Sequence, residues 1–182
     1  MRLGPLPEDQ WDERARAALA ALLPPDRRNP RGAGNAMATL ARHPELTETF
    51  LPFNSRLLLR STLPPRLREL AILRVVRRCG CAYQRVHHVK IAAKAGLSGA
   101  EIEAAGRGEV DGAELDGAEL DRAVLSPVDE LADDCNLSDR TWATLSEHLD
   151  ERQLMDLVFT IGAYCLLAMA FNTFGVEPGQ ER

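Results

Sequence analysis

Glu69 to His88 reads ELAILRVVRRCGCAYQRVHH, and this stretch decides both the fold class and the candidate site. Pro64-Pro65 can open a helix just before it, because proline's missing N–H costs nothing in a first turn. The helix runs through RLRELAILRVVRRCG and weakens at Gly80. A second helix is expected from about Cys81 to Ala95, with Gly96 well placed as its C-cap. At 100° per residue, Glu69 lies within about 60° of Ile72, Leu73 and Val76, the apolar side of the first helix. A carboxylate buried there requires a charged or hydrogen-bonding partner. Incomplete satisfaction would suit it to acid–base work, whereas a full ion pair with an arginine would make it structural.

On the second helix Cys81, Gln84, Arg85 and His88 fall at i, i+3, i+4 and i+7 and form one stripe. Ala82, Val86, Val89 and Ala93 are expected on a neighbouring apolar face. Tyr83, His87, Lys90 and Lys94 are expected on the polar side. His88 is therefore a better site candidate than the adjacent His87, against the bland reading of a satisfied structural histidine. Zinc is a poor fit for Cys79, Cys81, His87 and His88, since cysteines two apart on a helix diverge and structural zinc favours C-x(2–4)-C with a separate ligand pair. Cys135 and Cys165 have no evident partners and read as ordinary small residues.

Helical punctuation continues outward in both directions. Pro7 to Leu23 is expected as a first helix, with Trp11, Ala15, Ala18 and Leu22 at helical spacing. PPDRRNPRGAG (24–34) reads as a loop. Helices are then expected from near Asn35 toward Pro44, and on toward Arg60 with Leu46, Phe50, Phe53 and Leu57 on one face. Ser98 to Glu101 reads as a capping box. Further helices are expected at about Leu120 to Asp134 and Asp139 to His148, the latter capped by Ser138. The acidic repeat DGAELDGAEL, Asp111 to Leu120, is too short for a repeat architecture and reads as an exposed connector. No stretch alternates like a strand, so the expected fold is all-α: a single-domain helical bundle.

The final apolar run, LMDLVFTIGAYCLLAMAF from Leu154 to Phe171, is long enough to mimic a membrane span. Asp156 and Thr160 interrupt it, Asp150 to Gln153 reads as a capping box, and Gly175 closes it. A buried bundle helix or subunit interface is expected instead.

The 182 residues carry 22 Lys and Arg against 27 Asp and Glu, a net charge of −5. That charge lacks the basic field phosphate backbones require, which argues against nucleic acid as a partner. Four cysteines are too few for a disulfide scaffold, and the opening MRLGPLPEDQWDER has no apolar signal core; a cytoplasmic location is expected.

The motif resembles that of the carboxymuconolactone decarboxylase and alkyl hydroperoxidase D superfamily, whose redox members carry E-x(11)-C-x-x-C-x-x-x-H. Here Glu69 is followed after eleven residues by Cys81, then Tyr83, Gln84 and His88. Glu69, Cys81 and His88 keep the motif's residue types. Tyr83 stands where the peroxidase has a histidine, and Gln84 where it has the second cysteine. The resemblance covers about residues 35–176, leaving an N-terminal helix and loop over 1–34 and a tail over 177–182. It also takes in KIAAKAGLS and the apolar final helix, and favours the decarboxylase-like branch.

In the peroxidase the resemblance implies attack by the second cysteine and resolution by the first, and glutamine can do neither. A Cys79–Cys81 disulfide would require the helix to break at Gly80. The decarboxylase branch implies a cofactor-independent acid–base enzyme. Glu69, His88, Cys81 and Tyr83 would be catalytic, and Gln84 and Arg85 would bind a small carboxylated substrate, with no metal. It also implies a homo-oligomer. Two alternatives stay open: a thiol peroxidase using Cys81, and a non-catalytic helical scaffold.

Overall fold

The structure, a computed structural model, describes residues 1–108 and 119–179. Among these residues there is no strand, as the all-α expectation requires. The acidic repeat falls outside the described residues except for its last two. The chain divides into two compact units, one made of residues 1–60 and 170–182 and the other of residues 61–169.

The first unit begins with α1 (Glu13–Ala18), α2 (Gly34–Leu40) and α3 (Pro44–Leu59). The single helix expected over residues 7–23 is much shorter. A 3-10 turn over Glu8–Gln10 precedes α1, and Asp12 turns extended to cap it, its side chain accepting from the Ala15 N–H. Trp11 is held outside the helix by its indole N–H donating to the Leu6 carbonyl at 3.0 Å. The buried face of α3 also differs from expectation. Thr47, Leu51, Asn54, Ser55 and Leu57 are buried, while Leu46 and Phe53 are exposed. Leu51 joins Trp11, Ala15, Leu19 and Leu23 in this unit's core, so tertiary packing rather than the largest side chains chooses the inward stripe.

The second unit is built around α4 (Pro65–Arg78). Pro65 occupies its first turn. Leu67, Leu70, Ala71, Ile72, Leu73, Val75 and Val76 are all buried, so this helix has almost no wet side. It packs chiefly against α5 (Ala82–Lys94) and α6 (Gly99–Arg107). The Ser98–Glu101 capping box forms as expected, the Ser98 N–H donating to Glu101 at 2.7 Å. A single helix was expected from Leu120 to Asp134, but two occur: α7 (Glu119–Ala123) and α8 (Ser126–Asp134). Pro127 lies in the first turn of α8, where it starts a helix more readily than it continues one. Ser138 caps α9 (Asp139–Ser146), accepting from the Thr141 N–H at 3.2 Å.

The last helix, α10 (Glu151–Phe174), contributes to both units. Asp150 and Gln153 exchange the expected capping bonds, at 2.9 and 3.0 Å. By length and composition α10 could cross a membrane, and half of its most apolar window is buried inside the protein. Leu154, Leu157, Ile161 and Tyr164 enter the core formed by α4.

Cys135 ends α8 with a left-handed backbone, φ 54°, which a side chain with a Cβ adopts at a cost. Cys135→Gly is expected to raise stability by about 1 kcal/mol, the relief of that strain less the added freedom of the unfolded chain. A urea melt reads the difference, and a lower midpoint for the glycine variant would contradict it.

Candidate active site

The two site helices are separated by a sharp break. α4 ends at Arg78, Cys79 caps it, and Gly80 turns left-handed at φ 62°. Cys81 then starts α5 as its N-cap. The break expected at Gly80 is therefore present, and Cys79 and Cys81 flank it outside regular helix. Their separation reflects this turn rather than the helical divergence that sequence spacing suggested.

Because α4 is central, Glu69 is carried fully inside, at 0% exposure. Its carboxylate is held at both oxygens. Oε2 lies 2.7 Å from His88 Nδ1, and Oε1 accepts from Arg68 Nε at 3.1 Å. A carboxylate in a dry interior demands such partners, and the two sequence readings of Glu69 are thus joined in one group. It has its arginine, and it also orients a histidine. Sequence spacing alone could not identify Arg68 as the partner, because adjacent residues on a helix ordinarily diverge. Burial of α4 on nearly every side brings both residues inward.

The stripe on α5 turns out to be its buried face. Cys81, Gln84 and His88 are buried and Ala92 continues the row, while Ala82, Val86 and Ala93, expected on an apolar face, are exposed. Arg85 departs from the stripe: it is half-exposed and pairs with Glu103 of α6 at the surface. Tyr83 stacks with His87, ring centroids 4.4 Å apart. The structure thus brings Glu69, His88, Gln84 and Cys81 to the inward side of α4 and α5, and places Arg85 and Tyr83 in pairs of their own.

Tyr164 of α10 completes the group and was not anticipated. Its ring meets His88 edge-on, centroids 4.8 Å apart. Burial raises its hydroxyl well above the usual tyrosine range, the Glu69 charge raises it further, and Arg68 opposes them, so the phenol keeps its proton. One tyrosine in an apolar helix carries no local signal that would have singled it out.

Gln84 differs from its neighbours in having neither amide atom satisfied. Its Nε2 and Oε1 are both buried without a partner among the described residues. Such an amide costs stability unless something else meets it. Cys81 has an opposite character. Burial pushes its thiol up, the Gln84 N–H pulls it down, Cys79 pushes it up and the Tyr83 N–H pulls it down, with a net rise. It rests as a thiol, which weakens it as a nucleophile. Among the described residues no group of three His, Cys, Asp or Glu side chains is arranged to hold a metal ion.

Residues 44–120 match the model of the carboxymuconolactone decarboxylase family. The motif residues Glu69, Cys81 and His88 lie inside that match. Over these residues the chain is similar to that family.

Solved structures share this fold. An uncharacterised peroxidase-related protein from Ralstonia eutropha JMP134 with an alkylhydroperoxidase AhpD core superposes with a TM-score of 0.74 at 18% identity, covering 99% of this chain and 94% of that one. A peroxidase-related protein from Silicibacter sp. TM1040 gives 0.67 at 16% identity, over 79% and 76% of the two chains. A protein of unknown function from Agrobacterium tumefaciens, described as an antioxidant defence protein AhpD, gives 0.66 at 23% identity over 77% and 94%. No curated protein matches in sequence. These likenesses establish the fold.

A second buried cluster supports the site's scaffold. Arg66 of α4 donates to Asp121 at 2.7 Å and also pairs with Glu101. Burial alone would raise the Glu101 carboxyl, but Arg66 and the Ser98 cap outweigh it and hold it at about 2, below its ordinary 4.5. A depressed acid stabilises the fold above its unfolded value and loses that contribution as pH falls toward its folded one. Glu101→Gln is accordingly expected to cost about 2 kcal/mol at neutral pH. Urea melts should show the deficit shrinking as pH falls from 4.5 toward 2. A deficit independent of pH would contradict this account.

Proposed function

We propose that the protein is a cofactor-independent enzyme of the decarboxylase-like branch, using Glu69 and His88 for acid–base chemistry on a small carboxylated substrate. The observation that carries this reading is the 2.7 Å contact between Glu69 Oε2 and His88 Nδ1 beside a glutamine where a peroxidase would need its attacking cysteine. With Nδ1–H donating to the carboxylate, Nε2 is the nitrogen that takes or returns a proton. Loss of CO₂ leaves the electron pair in an enolate, and His88 Nε2–H protonates the carbon. Alternatively, neutral Nε2 removes a proton next to a carbonyl.

The supporting groups have defined places in this reading. Gln84 Nε2, unpartnered among the described residues, donates to the developing oxyanion. Arg85 was the expected anchor for the substrate carboxylate, yet it is paired with Glu103. Arg68 is better placed: it is engaged with Glu69 through Nε and keeps its terminal nitrogens for an anion. Arg68 and His88 are also the most exposed of the buried site residues, at 8% and 6%, so substrate reaches the site along their edge. Tyr83 is left as a residue of the rim.

The protein is also proposed to act as a homo-oligomer, outside nucleic acid and membrane contexts and in the cytoplasm. Met155, Phe159, Leu166 and Met169 of α10 are all more than half exposed and fall on one side of the helix at spacings of three, four and seven residues, a pattern suited to helix pairing.

The test is incubation with carboxylated lactones and keto acids in D₂O, following CO₂ release and deuterium incorporation, for wild type and Glu69→Gln. Turnover lost in the variant supports the proposal, and turnover retained overturns it. The competing thiol reading predicts catalytic consumption of an organic hydroperoxide with a dithiol reductant, abolished by Cys81→Ser. The raised Cys81 thiol weighs against that outcome.

A further inference from the structure

Between residues 155 and 169 the exposed positions of α10 are Met155, Phe159, Gly162, Leu166 and Met169, and no others. They follow one another at steps of four, three, four and three residues, the repeat that keeps one seam facing a partner helix. The seam carries no charge over this length. It is one residue wide, which suits a facing helix better than a lipid surface, where a broad apolar face with a basic rim is needed. Gly162 sits at its middle, in a helix interior where glycine costs stability relative to alanine. A Cβ added there would meet nothing within 4 Å. The space over Gly162 is therefore open, and a neighbouring helix can close on the backbone at that point. Tyr164, which packs on His88, belongs to the buried side of the same helix.

We propose that this seam takes a second copy of the chain, α10 against α10, antiparallel about a two-fold axis. The pairing rests on the homo-oligomer reading above and names the surface that carries it. In the antiparallel register Leu166 of one copy fills the space over the partner's Gly162, and Phe159 meets the partner's Met169. Large residue thus faces gap, as close packing between helices requires. A parallel pair would set the two Gly162 positions face to face, leave a hole between the helices and align their dipoles. Because the two-fold presents one patch to itself, each of these contacts is made twice.

The area is in proportion to a dimer contact. Side chains of this size carry roughly 200 Å² each, so four of them more than half exposed present about 450 Å² of apolar surface. That lies within the ~300–600 Å² of the largest patch on a typical monomer, a patch that is often functional. It is also more than half of the ~800 Å² that each partner buries in a standard interface. The flanks of the two helices supply the rest once Gly162 lets them approach. Within the chain, the run EVDGAELDGA (109–118) is acidic and does not match an uncharged apolar seam.

Sedimentation velocity of the full-length protein reads the mass of wild type, Gly162→Leu and Leu166→Glu. Wild type is expected to be an even-numbered oligomer. Gly162→Leu should weaken the association at least about tenfold, toward half the mass, because the added side chain fills the space that Leu166 needs while meeting nothing in its own chain. Leu166→Glu should weaken it at least about 100-fold, since pairing would bury an uncompensated charge. Circular dichroism checks that both variants keep the wild-type helicity. If neither folds, the double variant Phe159→Cys, Met169→Cys decides: mild oxidation should give a covalent dimer that dithiothreitol dissolves, above the level seen in wild type and in each single variant. No such dimer, or an equal one from Met169→Cys alone, overturns the antiparallel pair. A monomeric wild type, including one that cosediments with phosphatidylcholine vesicles, overturns both the pairing and the homo-oligomer reading. An odd-numbered oligomer, or one whose mass and affinity are unchanged in both folded variants, overturns the pairing alone.

Discussion

Glu69→Ala is expected to destabilise the protein by about 3–5 kcal/mol, the usual cost of removing one member of a buried charged group. The carboxylate has no solvent exposure and serves both Arg68 and His88. Its removal leaves Arg68, a residue 8% exposed, without its carboxylate, and a histidine nitrogen without its acceptor. A cavity adds to the loss. Glu69→Gln keeps the volume and one acceptor, so it should lose less stability, yet it should reduce turnover by about 10²–10⁴-fold if the histidine depends on the charge. Comparing the two variants separates the roles. Urea melts measure the first, and deuterium incorporation into substrate measures the second. A Glu69→Ala protein within about 1 kcal/mol of wild type would mean that the interior rearranges to rehydrate Arg68.

Asp156→Ala has the next largest expected effect, about 3 kcal/mol, because one carboxylate oxygen accepts from several donors at once. Asp156 Oδ2 receives the Thr62 N–H at 2.6 Å, the Thr62 hydroxyl at 2.8 Å and the Ser61 hydroxyl at 3.1 Å. These residues form the approach to α4, so the aspartate anchors the start of the central helix to α10. Truncation leaves a part-buried backbone N–H without its acceptor. Asp156→Asn should recover part of the loss, since its amide oxygen can take the place of Oδ2 and accept, though without the negative charge that strengthens these bonds. Thermal melts of the three proteins provide the check, and equal midpoints would show that water replaces the carboxylate at no cost.

The same aspartate shows how far a sequence can be read. In the apolar run from Leu154 to Phe171 it is visible as an interruption, and that is sufficient to favour a bundle helix. Its partners lie some ninety positions earlier, at Ser61 and Thr62, and no local pattern connects them. Caps behave differently. Ser98 with Glu101, Asp150 with Gln153, and the glycine break at residue 80 form as expected because each is satisfied within a few residues. The first helix failed for a local reason as well: Asp12 turned out to be a cap, so the apolar spacing from Trp11 overstated the helix.

The all-α class, the helices around Glu69 to His88, the motif's likeness to a known family and the inward placement of Glu69 and His88 were determined by the sequence itself, since helical periodicity, caps and motif spacing are local properties. Tertiary structure decided the partners. It put Arg68 beside the Glu69 carboxylate, paired Arg85 with Glu103, set Tyr164 against His88 and left the Gln84 amide without a partner among the described residues. The physical reason is the central position of α4. A helix enclosed on nearly every side carries even adjacent charged residues inward, and which distant side chains meet them depends on how neighbouring helices pack.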